Sequence, residues 1–150
     1  MQNDKLNNAV DAINNNHVVG IPTETVYGIG VNPFSQEAVD KIFELKGRDG
    51  DKPLSIFVSS FYDLQKLEIV SIIPEVVELY WPGPLTIVVE TKKKFADGVG
   101  TKNPSSIGVR VPDNELAIEL LKITGPLAVT SANLSGENDI NSDTEAENVF

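Results

Sequence analysis

Read for apolar periodicity, the chain separates into stretches whose apolar residues recur every three to four positions and short runs of strand length. Residues 4–16 place Leu6, Ala9, Val10 and Ile13 on one helical face, with Asn3 or Asp4 as N-cap and Asn15 or Asn16 as the stop. Residues 17–21 form an apolar run that Pro22 ends, which predicts a strand. Ser35 caps a second amphipathic helix carrying Ala38, Val39, Ile42, Phe43 and Leu45, and Gly47 stops it between Lys46 and Arg48. Residues 54–58 read as a buried strand. A short helix is predicted from Ser59 or Ser60 to Leu67 and another over 71–80, with Pro74 tolerated in its first turn. Trp81-Pro82-Gly83-Pro84 ends that helix, and residues 85–90 are a β-branched strand. A polar loop spans 92–100, with its lysine triplet as a solvated turn. Residues 106–111 alternate as a strand, Pro112-Asp113 stops it and caps a helix over 114–123, and 127–130 is the next strand. A last helix is expected from Asp143 or Thr144 to Phe150. Such alternation predicts an α/β protein with an open, twisted sheet whose ligands gather at strand-end loops.

One stretch departs from this pattern. Residues 21–30, Ile21-Pro22-Thr23-Glu24-Thr25-Val26-Tyr27-Gly28-Ile29-Gly30, set a proline before hydroxyl, carboxylate and hydroxyl, then an apolar tail spaced by glycine. It reads as a binding loop, because loops on a rigid scaffold keep their donors free for ligands. A Pro-initiated turn with glycine exits accounts for the same residues.

Composition narrows the chemistry. With 150 residues, 41% of them hydrophobic, one globular domain is expected. No run of about 18 apolar residues and no signal-peptide core are present, so a cytoplasmic location and no membrane partner are expected. The absence of cysteine removes disulfides and thiolate sites, and the single histidine, His17, removes multi-histidine metal sites; it reads as a partly buried strand end. A formal net charge of −10 argues against non-specific binding of nucleic acid. Against that background the two arginines, Arg48 and Arg110, stand out. Lys46 and Arg48 equally suit the C-terminus of a helix for its dipole alone.

The strand ends collect hydroxyls of Thr23 and Thr25, cations Lys46, Arg48, Lys52 and Arg110, and the polar group Ser131, Asn133 and Ser135. No nucleophile lies beside a histidine, there is no Walker A sequence, and Gly28-Ile29-Gly30 lacks the third glycine of a dinucleotide fingerprint. What remains is an anion pocket suited to a triphosphate or a carboxylate.

The segments PTETVYGIG, KGR followed by KPL, WPGPLT, IGVRVP and TSANLSG, in this order, resemble the YrdC-like family of threonylcarbamoyl-AMP synthases over nearly the whole chain. The resemblance implies an open, twisted, mostly mixed β-sheet flanked by helices. It implies one YrdC-like domain over residues 1–150, incomplete at its C-terminus. It further implies synthesis of L-threonylcarbamoyl-AMP from L-threonine, bicarbonate and ATP with release of pyrophosphate. Mg²⁺ would accompany ATP, with no protein-ligated metal, and a tRNA threonylcarbamoyl transferase would act downstream. By the same resemblance Lys46, Arg48, Ser131 and Asn133 are catalytic; Thr25, Arg110 and Val129 hold threonine; and Arg48, Lys52, Ser106 and Ser131 hold ATP. Asp49, Lys52, Phe57 and Asn114 stand where proline, asparagine, histidine and histidine occur in other members. Two other classes stay open: a non-catalytic RNA-binding module, and the carbamoyl-adenylate-forming domain of a hydrogenase-maturation protein.

Overall fold

The computed structural model describes residues 2–47, 52–102 and 105–132, and within them a seven-stranded open sheet flanked by helices. Along the chain run α1 (Gln2–Asn14), β1 (Val19–Ile21), β2 (Gly28–Val31), α2 (Gln36–Lys46), β3 (Ser55–Phe57) and a 3-10 helix (Phe61–Leu67). There follow α3 (Val77–Tyr80), β4 (Ile87–Glu90), β5 (Thr101–Lys102), β6 (Ser105–Arg110), α4 (Glu115–Thr124) and β7 (Leu127–Ser131). The strand order is β1-β2-β7-β3-β6-β4, with β5 also on β6. Within this sheet β3 and β6 pair in parallel, and the other pairs are antiparallel. The open, mixed α/β sheet expected from the resemblance is therefore present.

Strand alternation sends side chains to two faces, and each face has its own apolar cluster. On the first, Ile29, Val31, Ile56, Ala128, Val89, Ile107 and Val109 share one apolar cluster with Ala38, Val39 and Ile42 of α2 and Leu64 and Leu67 of the 3-10 helix. Truncating a fully buried isoleucine such as Ile42 to alanine costs about 2–5 kcal/mol. Ser35 caps α2 through Ala38 N–H, and Gly47 closes it at φ 64°, the left-handed region that favours glycine. On the second face α1 and α4 cover Ile21, Phe57, Leu127 and Val129. Val88 of β4 stays 75% exposed, so the helical layer stops short of the β4 side of that face.

Several elements differ from the pattern-based reading. Residues 28–31 form β2, a fully buried strand, rather than the tail of a loop. A Cβ on Gly28 would meet Val129 Cγ1 at 3.1 Å and one on Gly30 would meet Ile21 Cδ1 at 2.4 Å. These glycines admit neighbouring side chains rather than release the chain. The helix expected over 71–80 shrinks to α3. Before it, Val70 N–H bonds Glu90 O at 2.9 Å and Ser71 Oγ accepts from Glu90 N–H at 3.0 Å, which holds the chain extended along β4. Ile72 and Leu79, 95% and 83% exposed, have no face to bury against. Asn114, rather than Asp113, caps α4 by accepting from Ala117 N–H. His17 is exposed, not partly buried. The helix expected near residue 143 lies outside the described residues.

Candidate active site

The second face carries the site because its register places small and polar residues where the helices end. Gly28 pairs with Ser131, Ser55 with Val129, and Phe57 with Arg110. On β6 the alternation puts Ser106, Gly108 and Arg110 on one face, and a Cβ on Gly108 would meet Thr86 Cγ2 at 3.2 Å and Ser55 Oγ at 3.4 Å. The resulting cavity, about 270 Å³, is lined by residues of β2, β3, β6 and β7 and of the loops feeding them. Thr23, Ser55, Thr86, Arg110, Val129 and Ser131 define it, with Gly28 and Phe57 as its close-packed walls.

Arg110 is 8% exposed and fixed on several sides. Its Nε donates to Gly83 O at 2.9 Å, and Nη2 donates to a carboxylate oxygen of Glu24 and to Thr25 Oγ1 at 3.3 Å. Its guanidinium carbon lies 5.6 Å from the centroid of the Phe57 ring. The Trp81–Pro82 peptide is cis, and the turn it makes offers Gly83 O to Arg110 while Gly83 N–H bonds Val111 O at 2.8 Å. Glycine is needed there because an added Cβ would sit 2.4 Å from Tyr80 O.

The loop between β1 and β2 is wound around one hydroxyl. Thr23 Oγ1 accepts from Thr25 N–H at 3.2 Å and Val26 N–H at 3.1 Å, and it donates to Val26 O. This compact turn carries Glu24 and Thr25 to Arg110, and Glu24 Oε2 also accepts from Asp113 N–H at 3.1 Å. At the other side Lys46, 5% exposed at the end of α2, donates through Nζ to Ser131 O at 2.7 Å. It also reaches Thr130 Oγ1 at 3.3 Å and Ser131 Oγ at 3.4 Å. A positive charge thus lies beside two residues that line the cavity.

Among the residues singled out from the sequence, Arg110, Val129 and Ser131 line this cavity, Thr25 contacts Arg110, and Lys46 contacts Ser131. Lys52 is exposed beside Pro53, which lines it. Ser106 shares the face but lies four residues along β6 from Arg110, with its hydroxyl 2.7 Å from that of Thr101. Arg48 and Asn133 lie outside the described residues. Glu24, Ser55 and Thr86 were not singled out as site residues. Glu24 stood in plain view as the only acid of the central loop, whereas Ser55 and Thr86 become neighbours only through the β3–β6–β4 register.

An open, mixed α/β sheet with an arginine-bearing polar cavity at its strand ends defines the class of structure. The comparisons place the chain within it: the chain belongs to the Sua5/YciO/YrdC family, described under telomere recombination, which it matches over residues 11–150. It is 41% identical over 138 residues to the threonylcarbamoyl-AMP synthase of Pyrococcus abyssi, an alignment covering 89% of this chain and 40% of that protein. To the threonylcarbamoyl-AMP synthase of Bacillus subtilis it is 38% identical over 146 residues, 94% of this chain and 41% of the relative. The crystal structure of P. abyssi Sua5 complexed with L-threonine superposes with a TM-score of 0.84 at 36% identity, over 96% of this chain and 43% of that one. E. coli YciO superposes with a TM-score of 0.86 at 23% identity and shares the fold. The chain spans about two fifths of the length of the two synthases it matches. Among the described residues no helix is long and apolar enough to cross a membrane.

Proposed function

We propose that this chain forms one YrdC-like domain of a protein that makes L-threonylcarbamoyl-AMP from L-threonine, bicarbonate and ATP, releasing pyrophosphate. The product would serve a tRNA threonylcarbamoyl transferase that modifies adenosine in tRNA. The observation that carries this reading is the buried Arg110 lining a polar cavity in a chain 36% identical to a protein whose structure contains L-threonine. A guanidinium held in a fixed orientation suits a carboxylate, and Thr25 and Val129 would contact the same ligand.

The reaction asks for positioning and charge stabilisation rather than a covalent enzyme intermediate. Bicarbonate gives up water to yield carbon dioxide, which the neutral threonine amine captures with loss of a proton as a carbamate; a carbamate oxygen attacks the α-phosphorus of ATP, and the bond to the bridging oxygen breaks as pyrophosphate leaves. Lys46 and Arg48 would offset charge on the phosphates. Ser131 and Asn133 would orient the nucleotide, with Lys52 and Ser106 at its periphery. Among the described residues no cluster of three or more His, Cys, Asp and Glu could hold a metal ion. Mg²⁺ would arrive on ATP, whose phosphates supply its oxygen ligands.

The test is incubation of the purified chain with ATP, Mg²⁺, bicarbonate and labelled threonine. Threonine-dependent release of pyrophosphate together with a labelled adenylate is the expected result. Turnover with carbamoyl phosphate in place of threonine, or retention of RNA without turnover, would overturn it.

A further inference from the structure

We propose that Glu24 is a positioning residue for Arg110, fixing the guanidinium so that one nitrogen, Nη1, is left for the carboxylate of the amino-acid substrate. This rests on the assignment of Arg110 to that carboxylate. Nε is committed to Gly83 O and Nη2 to Glu24 and Thr25. Among the described residues Nη1 has no protein partner, and Arg110 lines the cavity. A guanidinium without such an acceptor offers its paired Nη1/Nη2 edge to any carboxylate or phosphate. With Nη2 occupied, that edge is no longer available and a ligand oxygen meets a single nitrogen.

Glu24 is itself anchored. Its side chain is 24% exposed, its second oxygen accepts from Asp113 N–H, and its loop is closed around Thr23. It therefore ties three pieces of chain to one point: the loop after β1, the end of β6 and the turn before α4. Its negative charge beside Arg110 also has a consequence for selectivity. The pair is close to neutral, so this end of the cavity favours a zwitterion with one carboxylate over a polyanion. Two ligands of different charge must share the reaction site, and a neutralised arginine keeps nucleotide phosphates out of the amino-acid end.

The experiment compares wild type, Glu24→Ala and Glu24→Gln in the full chain, by calorimetric titration with L-threonine and separately with ATP. A parallel measurement follows proton exchange at the arginine Nε–H in ¹⁵N-labelled protein, where only two arginines give signals. The alanine variant is expected to bind threonine about tenfold or more weakly, to bind ATP at least as tightly as wild type because the arginine is no longer neutralised, and to exchange the Arg110 Nε–H faster. The glutamine variant keeps an acceptor for Nη2 and should recover most of the threonine affinity. Equal weakening of both ligands would show a loop tether rather than a positioning residue and would overturn the proposal. An alanine variant that leaves threonine binding and Nε–H exchange unchanged would do the same. Should wild type bind no threonine, the assignment of Arg110 to the carboxylate fails. The exchange measurement would then separately decide whether Glu24 orders the guanidinium, and an unchanged rate in the alanine variant would overturn that as well.

Discussion

The ammonium of Lys46 donates to the main-chain carbonyl of Ser131 at 2.7 Å, joining the last residue of α2 to the last residue of β7. A lysine 5% exposed must have its donors satisfied, and the strand end that lines the cavity supplies acceptors for them. Lys46→Met keeps the stem and volume but removes the donor. Hydrogen bonds to charged groups are worth about 1.5–3 kcal/mol, so denaturant titration should show a loss in that range. Threonine-dependent pyrophosphate release should fall by about a hundredfold, because a shifted Ser131 misplaces the ligand. Unchanged stability and turnover would remove Lys46 from both roles.

Arg110 is expected to be intolerant of lysine. The guanidinium serves Gly83 O, Glu24 and Thr25 from nitrogens held in one plane, whereas an ammonium is a point charge at a single position. Arg110→Lys should bind threonine at least about tenfold more weakly. It should also lose about 1–3 kcal/mol of stability, since Glu24 and Gly83 O cannot both be satisfied. Threonine titration and thermal melting check the two effects separately, and a lysine variant with wild-type affinity would contradict the geometry.

The sequence announced those parts of the fold that local chemistry dictates. Ser35 and Gly47 bound α2 where their cap chemistry required, and Asn16 ends the α1 region at φ 62°. The class and the strand-end location of Arg110 and Ser131 were equally legible, because apolar runs between turn residues report burial. Pairing was not. Gly28 and Gly30 look like loop residues until Val129 and Ile21 occupy the space that a Cβ would take. The contact between Glu24 and Arg110 joins residues 86 positions apart, and no periodicity encodes it. For residues 71–80 the apolar spacing suited a helix, but hydrogen bonds to β4 decided the conformation of Val70 and Ser71.

Gly108 lies against Ser55 and Thr86, two residues that line the cavity. A valine there suits a strand, and its Cβ contacts are tight at 3.2 Å to Thr86 but not prohibitive. Gly108→Val should hold its melting free energy to within about 1 kcal/mol, while its branched methyls occupy space meant for ligand. Binding of threonine or ATP should weaken by about tenfold or more. If both ligands bind the folded variant as they bind wild type, the ligand site lies elsewhere.

Asp63 gives the fold a pH dependence away from the cavity. Burial acts to raise its carboxyl, but the Ser59 hydroxyl, Lys66 and the Ser59 N–H together hold it below the ordinary value of 3.8. The Ser59 hydroxyl and its N–H, the latter at 3.1 Å, both donate to Oδ2, and Lys66 Nζ lies 3.3 Å from Oδ1. Asp63 reaches back to the residue before Ser60, the N-cap of the 3-10 helix, whose own side chain makes no capping bond. A carboxyl whose folded value is lowered favours the charged form in the native state. Its contribution is complete above the ordinary carboxylate value and is lost as pH falls through the lowered one. Asp63→Asn should therefore be less stable than wild type at neutral pH by about 0.5–1.5 kcal/mol. The gap should narrow as pH falls through and below the ordinary carboxylate value and the wild-type carboxyl takes up its proton. Urea titrations of the two proteins across that range measure it. A gap that stays constant into acid would mean that Asp63 contributes shape and not charge.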